Sequence, residues 1–80
     1  MSREYMIKCT FPTGYDASTV LRKLPSPISR QMTEIYNYAV KSEGFYFADR
    51  LVEPQVAAYA FKLFIDEALL QSKKVVVSEL

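Results

Sequence analysis

Eighty residues with ten Lys and Arg against nine Asp and Glu give a formal net charge of +1, so bulk charge exerts no pull toward nucleic acid or an anionic membrane. Half of the residues are apolar and 14% are aromatic, which suits one globular domain over 1–80 rather than a disordered chain. There is no histidine, and Cys9 is the only cysteine; internal disulfides, histidine-ligated or multi-thiolate metal sites and histidine-dependent triads are excluded.

Residues 4–11, Glu-Tyr-Met-Ile-Lys-Cys-Thr-Phe, set Tyr5, Ile7, Cys9 and Phe11 on one face and Met6, Lys8 and Thr10 on the other, the alternation of a half-buried strand. Pro12 and Gly14 end it. Asp16 or Ser18 is expected to cap a short helix whose apolar side is Val20, Leu21 and Leu24, and Pro25 stops it by disfavouring a helical conformation in the residue before it.

Residues 26–44 support two readings. Ser26-Pro27 is a good helix start, Ile28, Met32, Ile35 and Ala39 recur on one helical stripe, and Gly44 stands where a left-handed C-terminal cap would fall. These signals favour a helix over 27–42. In the competing reading, Ile35-Tyr36-Asn37-Tyr38-Ala39-Val40 is a strand and Lys41-Ser42-Glu43-Gly44 turns it into Phe45-Tyr46-Phe47.

Residues 45–51 read as a strand in both cases. Pro54 then opens a helix over 54–72 with a broad apolar stripe of Val56, Ala57, Ala60, Phe61, Phe64, Ala68 and Leu69. Lys62 and Asp66 are spaced to pair on its wet side. Lys73 and Lys74 suit the negative end of its dipole, and Val75, Val76 and Val77 form a last strand. The expected fold is α+β, a two-layer sandwich with a three- or four-stranded sheet and helices packed on one face.

Little in the chain points to catalysis. With only Gly14 and Gly44, no glycine-rich phosphate loop exists. Cys9 would need an activating partner, and its strand position reads as a small buried hydrophobe. Asp66 and Glu67 are helical neighbours that point in different directions, and they read as a solvated face. Asp49-Arg50 reads as a solvent-facing pair or a structural salt bridge. No catalytic residue, metal or cofactor is expected.

The segment Gly44-Phe45-Tyr46-Phe47-Ala48 carries the sharpest functional question, because its rings either fill a core or face outward. In the hairpin reading the element order is similar to that of the RNA-recognition-motif domain. That family carries a Lys/Arg-Gly-aromatic-Gly/Ala-aromatic pattern on its third strand, where two aromatics stack bases. Gly44, Phe45 and Phe47 look like that pattern, whereas Glu43 reverses the charge and Tyr46 replaces a small residue. The first strand, Glu4-Tyr5-Met6-Ile7-Lys8, is a loose match to the family's other motif. The resemblance implies single-stranded nucleic-acid contact through Phe45 and Phe47 with Lys41 and Arg50. The near-neutral charge opposes it, since phosphate neutralisation supplies most of the affinity in such complexes.

The leading expectation is therefore a non-catalytic protein-interaction or regulatory domain. It would act through its exposed sheet face, with Tyr36, Tyr38, Tyr46 and Arg50 as the interface, a protein partner and homodimer formation. Without a signal-peptide run near Met1, and with the longest apolar stretch only Val56 to Phe61, the expected setting is cytoplasmic and off the membrane.

Overall fold

The computed structural model describes residues 2–80. Strand β1 (Arg3–Lys8) is followed by a short helix α1 (Ser18–Lys23), a hairpin of β2 (Tyr36–Lys41) and β3 (Gly44–Asp49), the long helix α2 (Pro54–Gln71) and the last strand β4 (Val76–Glu79). The four strands form one antiparallel sheet in the order β2-β3-β1-β4. This order interleaves two split βαβ units, each pair of parallel strands being separated by a strand of the other unit. Helix α2 lies against β1 and β3, and α1 packs on α2, giving the α+β two-layer fold with a four-stranded sheet.

β1 ends three residues earlier than its alternation predicts. Cys9 stays tied to the sheet by donating its N–H to Glu43 O at 3.0 Å, and Phe11 still reaches the core edge-on to Phe45. The chain reverses through Pro12–Tyr15, where Tyr15 N–H donates to Pro12 O and Gly14 takes a φ of +77°, as the third residue of a type II turn requires. The Asp16 carboxylate then accepts from Ser18 N–H and Ser18 Oγ, tethering the first residue of α1 from two positions upstream. Leu24, extended before Pro25, closes α1.

The helix expected over 27–42 does not form. Ser26 and Ser29 side chains bond to nearby backbone groups instead, which offers the chain an alternative to the helical ladder. Residues 27–35 make a small hairpin of their own, with Ser29 N–H donating to Thr33 O and Ile35 N–H to Pro27 O. Of the presumed helical stripe, Met32 is 82% exposed and only Ile35 is buried. What wins is aromatic packing. Tyr36 stacks on Phe47 at 5.4 Å and Tyr38 meets Phe64 at 5.4 Å, contacts that require the period-two alternation of a strand.

Gly44 is not a helix cap. Neither Ser42 nor Glu43 takes a positive φ, so Gly44 absorbs the twist of this two-residue turn at φ +144°. A Cβ there would stand 1.9 Å from Ile7 O, so only glycine lets β3 approach β1 this closely.

The core is aromatic on the sheet and small on the helix. Phe45 and Phe47 sit under α2, 4.9 Å from Phe64 and 5.1 Å from Phe61. Ala57, Ala60 and Ala68 are buried with Phe64 on α2, so small side chains let the helix backbone come down beside its ring. Leu69, placed on the apolar stripe by sequence, is 53% exposed. The Lys62–Asp66 ion pair forms at 2.9 Å. α2 ends at Gln71 with Lys73 and Lys74 just beyond its C-cap Ser72, and the last strand runs Val76–Glu79 rather than 75–77.

Candidate functional site

Pairing fixes which side chains share each face. Tyr5 stands opposite Phe47 and Phe47 opposite Tyr38; Ile7 stands opposite Phe45. These lie on the α2 side. The opposite, open face is built from Glu4, Met6 and Lys8 on β1, Asn37, Ala39 and Lys41 on β2, Tyr46 and Ala48 on β3, and Val76 and Ser78 on β4.

Tyr46 is the one aromatic ring on this face. It is half-buried between Met6 and Ala39, its direct cross-strand neighbours. Its hydroxyl donates to Glu4 Oε1 at 2.5 Å, and that bond to a carboxylate raises the phenol's pKa. Met6 and Ala48 beneath are buried. Past the end of β3, Arg50 donates through Nε to Glu34 at 2.6 Å and through its guanidinium to Ser2 Oγ at 3.2 Å. Arg50 thus pairs with Glu34 and not with Asp49, whose carboxylate accepts from Leu51 N–H.

Several site residues read from sequence fall elsewhere. Tyr36 is 1% exposed, lies on the helix side and donates its hydroxyl to Pro25 O. Tyr38 is on the same covered side. Neither shares Tyr46's face, so the expected cluster of three tyrosines reduces to one. Phe45 and Phe47 are 0% and 1% exposed. The element order implied by the RNA-recognition-motif resemblance is present, but the aligned rings face α2, where no base can stack on them. Lys41 and Arg50 stand at opposite ends of the hairpin. Lys41 pairs with Gly44, six residues before Arg50, a separation of about 20 Å along the strand.

A second cluster escaped the sequence reading. Tyr15 donates its hydroxyl to Glu67 Oε2 at 2.5 Å, and Gln71 donates to the same oxygen at 3.3 Å. Glu67 is therefore not a solvated helix residue. It borders the stripe next to buried Ala68, the one sequence feature that marks it. Burial and then the Glu67 charge push the Cys9 thiol up. Burial first, with the Glu67 hydrogen bond second, pushes the Tyr15 phenol up as well. Both groups stay protonated near neutral pH, which is opposite to what an activated nucleophile needs. Cys9 is half-buried and packs against the core.

Among the described residues no group of three or more His, Cys, Asp or Glu is placed to hold a metal ion, and no helix is long and apolar enough to cross a membrane. Two open depressions of about 420 and 300 Å³ meet at Val52 and Glu53, one lined also by Arg30 and Gln31 and the other by Pro54, Gln55 and Val56. Neither is lined by Tyr46 or Cys9. Compared with known protein families, curated proteins and solved structures, the chain matches none.

Proposed function

We propose that this chain is a non-catalytic interaction domain, a cytoplasmic regulator or adaptor, that meets a protein partner through the open face of its sheet with Tyr46 as the anchor. The observation that carries this reading is the contrast in Tyr46's surroundings. It is a single ring held in one orientation by Glu4, set beside the small side chain of Ala39 and ringed by Glu4, Lys8 and Lys41. An aromatic centre with a charged rim is the composition of protein–protein interfaces, and tyrosine offers a large contact area at low rotamer cost. The single-stranded nucleic-acid alternative loses support because its two stacking rings lie under α2.

Site-specific photocrosslinking tests the reading. A benzophenone side chain at position 46 should yield one saturable protein adduct that excess unlabelled chain competes away. The same probe at Tyr59, on the outer side of α2, should not. Equal adducts from both positions refute the assignment. Binding to a mixed single-stranded oligonucleotide that depends on Tyr46 and falls with salt would replace it.

A further inference from the structure

Cross-strand rows order the open face. Glu4, Ala48 and Asn37 form one row, Met6, Tyr46 and Ala39 the next, and Lys8, Gly44 and Lys41 the last, at the turn end of the hairpin. Charge is divided unequally among these rows. At the end away from the turn the charged groups are engaged with one another or with a hydroxyl: Arg50 holds Glu34 at 2.6 Å, and Glu4 accepts from Tyr46.

The turn end is different. Lys8 and Lys41 both stand opposite Gly44, so their backbones are two strand spacings apart, about 9–10 Å. Gly44 contributes no side chain between them. Both lysines are exposed. Among the described residues the ion pairs are Arg3–Glu79, Arg50–Glu34 and Lys62–Asp66. Neither lysine takes part in one, and Glu43 in the adjoining turn pairs with neither. The chain is close to neutral as a whole, yet two unpaired cations stand together, one row from Tyr46.

We propose that the partner on this face is an acidic protein segment, in which neighbouring Asp or Glu carboxylates meet Lys8 and Lys41 while an apolar side chain of the same segment lies on Tyr46. The inference rests on the open-face reading and adds the chemistry of the partner. Its argument is charge complementarity, which sets orientation, speeds encounter and disfavours wrong partners more than it adds affinity. Exposed ion pairs contribute little energy each, so the ring supplies contact area and the lysines supply direction. A nucleic acid fits this face less well. Its backbone is held by a track of several cations, whereas here two unpaired lysines share the face with Glu4 and Glu34.

The test is an NMR titration of the isotope-labelled chain with a synthetic octapeptide of glutamates around one central leucine. Amide shifts should gather at Lys8, Lys41 and Tyr46, leave the outer side of α2 near Tyr59 unmoved, and weaken with added salt. Lys8→Gln with Lys41→Gln should weaken binding at least about threefold. Lys23→Gln with Lys62→Gln, on the two helices, removes the same net charge and should leave binding unchanged. Tyr46→Ala separates this inference from the reading beneath it. Binding that is lost in Tyr46→Ala but untouched by the Lys8 and Lys41 changes keeps the open face and overturns the acidic partner. The inference is also overturned by no binding at millimolar peptide, by equal binding of a glutamine peptide, or by equal binding of a thymidine oligonucleotide at the same salt. Shifts of the same amides on concentrating the chain alone would assign the face to a second copy instead.

Discussion

Consecutive residues of β3 live in different worlds. Phe45 and Phe47 are sealed against Phe61 and Phe64 of α2, while Tyr46 between them faces away from both helices and is fixed by a single hydrogen bond to Glu4. The covered face uses its rings for area and shape, with Tyr5, Tyr38, Phe45 and Phe47 from three strands meeting Phe61 and Phe64 of the helix. The open face spends one ring and surrounds it with small and charged residues. The difference shows that an aromatic run carries no functional meaning until parity assigns each ring to a face. Here parity seals Phe45 and Phe47 in the core and leaves Tyr46 on the open face, where it anchors the proposed interface.

Breaking the strand that carries both faces should have the largest effect. Gly44→Ala places a methyl group against Ile7 O and forces alanine into a conformation natural only to glycine. Strain and overpacking of about 1–3 kcal/mol each sum to about 2–6 kcal/mol, much of the stability of so short a chain. Denaturant unfolding should show a collapsed midpoint. Phe47→Ala empties the covered face and should cost about 3–5 kcal/mol in the same measurement. A loss below 1 kcal/mol would mean that the ring is not sealed under α2.

Much of this architecture was legible beforehand. The alternation of Tyr5 and Ile7, the proline-opened helix at Pro54 and the packing of Phe45 and Phe47 on Phe61 and Phe64 all follow from periods that burial enforces. The segment 26–44 misled because Ser26-Pro27, the Ile28–Ala39 stripe and Gly44 are each valid helix signals taken locally. Their competitors are non-local: Tyr36 needs Phe47, and Gly44 needs the approach of Ile7 across the sheet. The candidate site was half visible for the same reason. Tyr46 and Arg50 could be read from position, but assigning Tyr36 and Tyr38 to a face required knowing that they lie on a strand and which register it takes. The Tyr15–Glu67 contact joins residues 52 apart in sequence and left no periodic trace.

Tyr36 gives a finer test of that register. Its buried phenol is pushed up to about 12 from an ordinary value of 10.0, mainly by loss of solvation. The folded state therefore holds this proton more tightly than the unfolded chain. The stabilisation is complete below pH 10 and is lost as pH rises toward 12. Tyr36→Phe should remove this part of the alkaline decline in stability. At neutral pH it should cost about 1–2 kcal/mol, because Pro25 O loses its donor. An unchanged pH profile would place Tyr36 in solvent and return 27–42 to the helical reading.

The smallest expected effect on stability is the one that decides function. Tyr46→Ala removes a half-exposed ring and a surface hydrogen bond, and nothing in α2 loses a contact. The cost should stay below about 1 kcal/mol, as for exposed positions generally. Thermal unfolding should show a small shift beside that of Phe47→Ala. If the open face is where a partner docks, the same variant should lose most of its binding while keeping its fold, since truncating a central aromatic at an interface costs about 2 kcal/mol or more in affinity. The two measurements together separate the roles of neighbouring rings: Phe47→Ala should lose fold and binding together, whereas Tyr46→Ala should lose binding alone. A Tyr46→Ala chain that binds its partner as well as the native one would leave the open face without a recognition role.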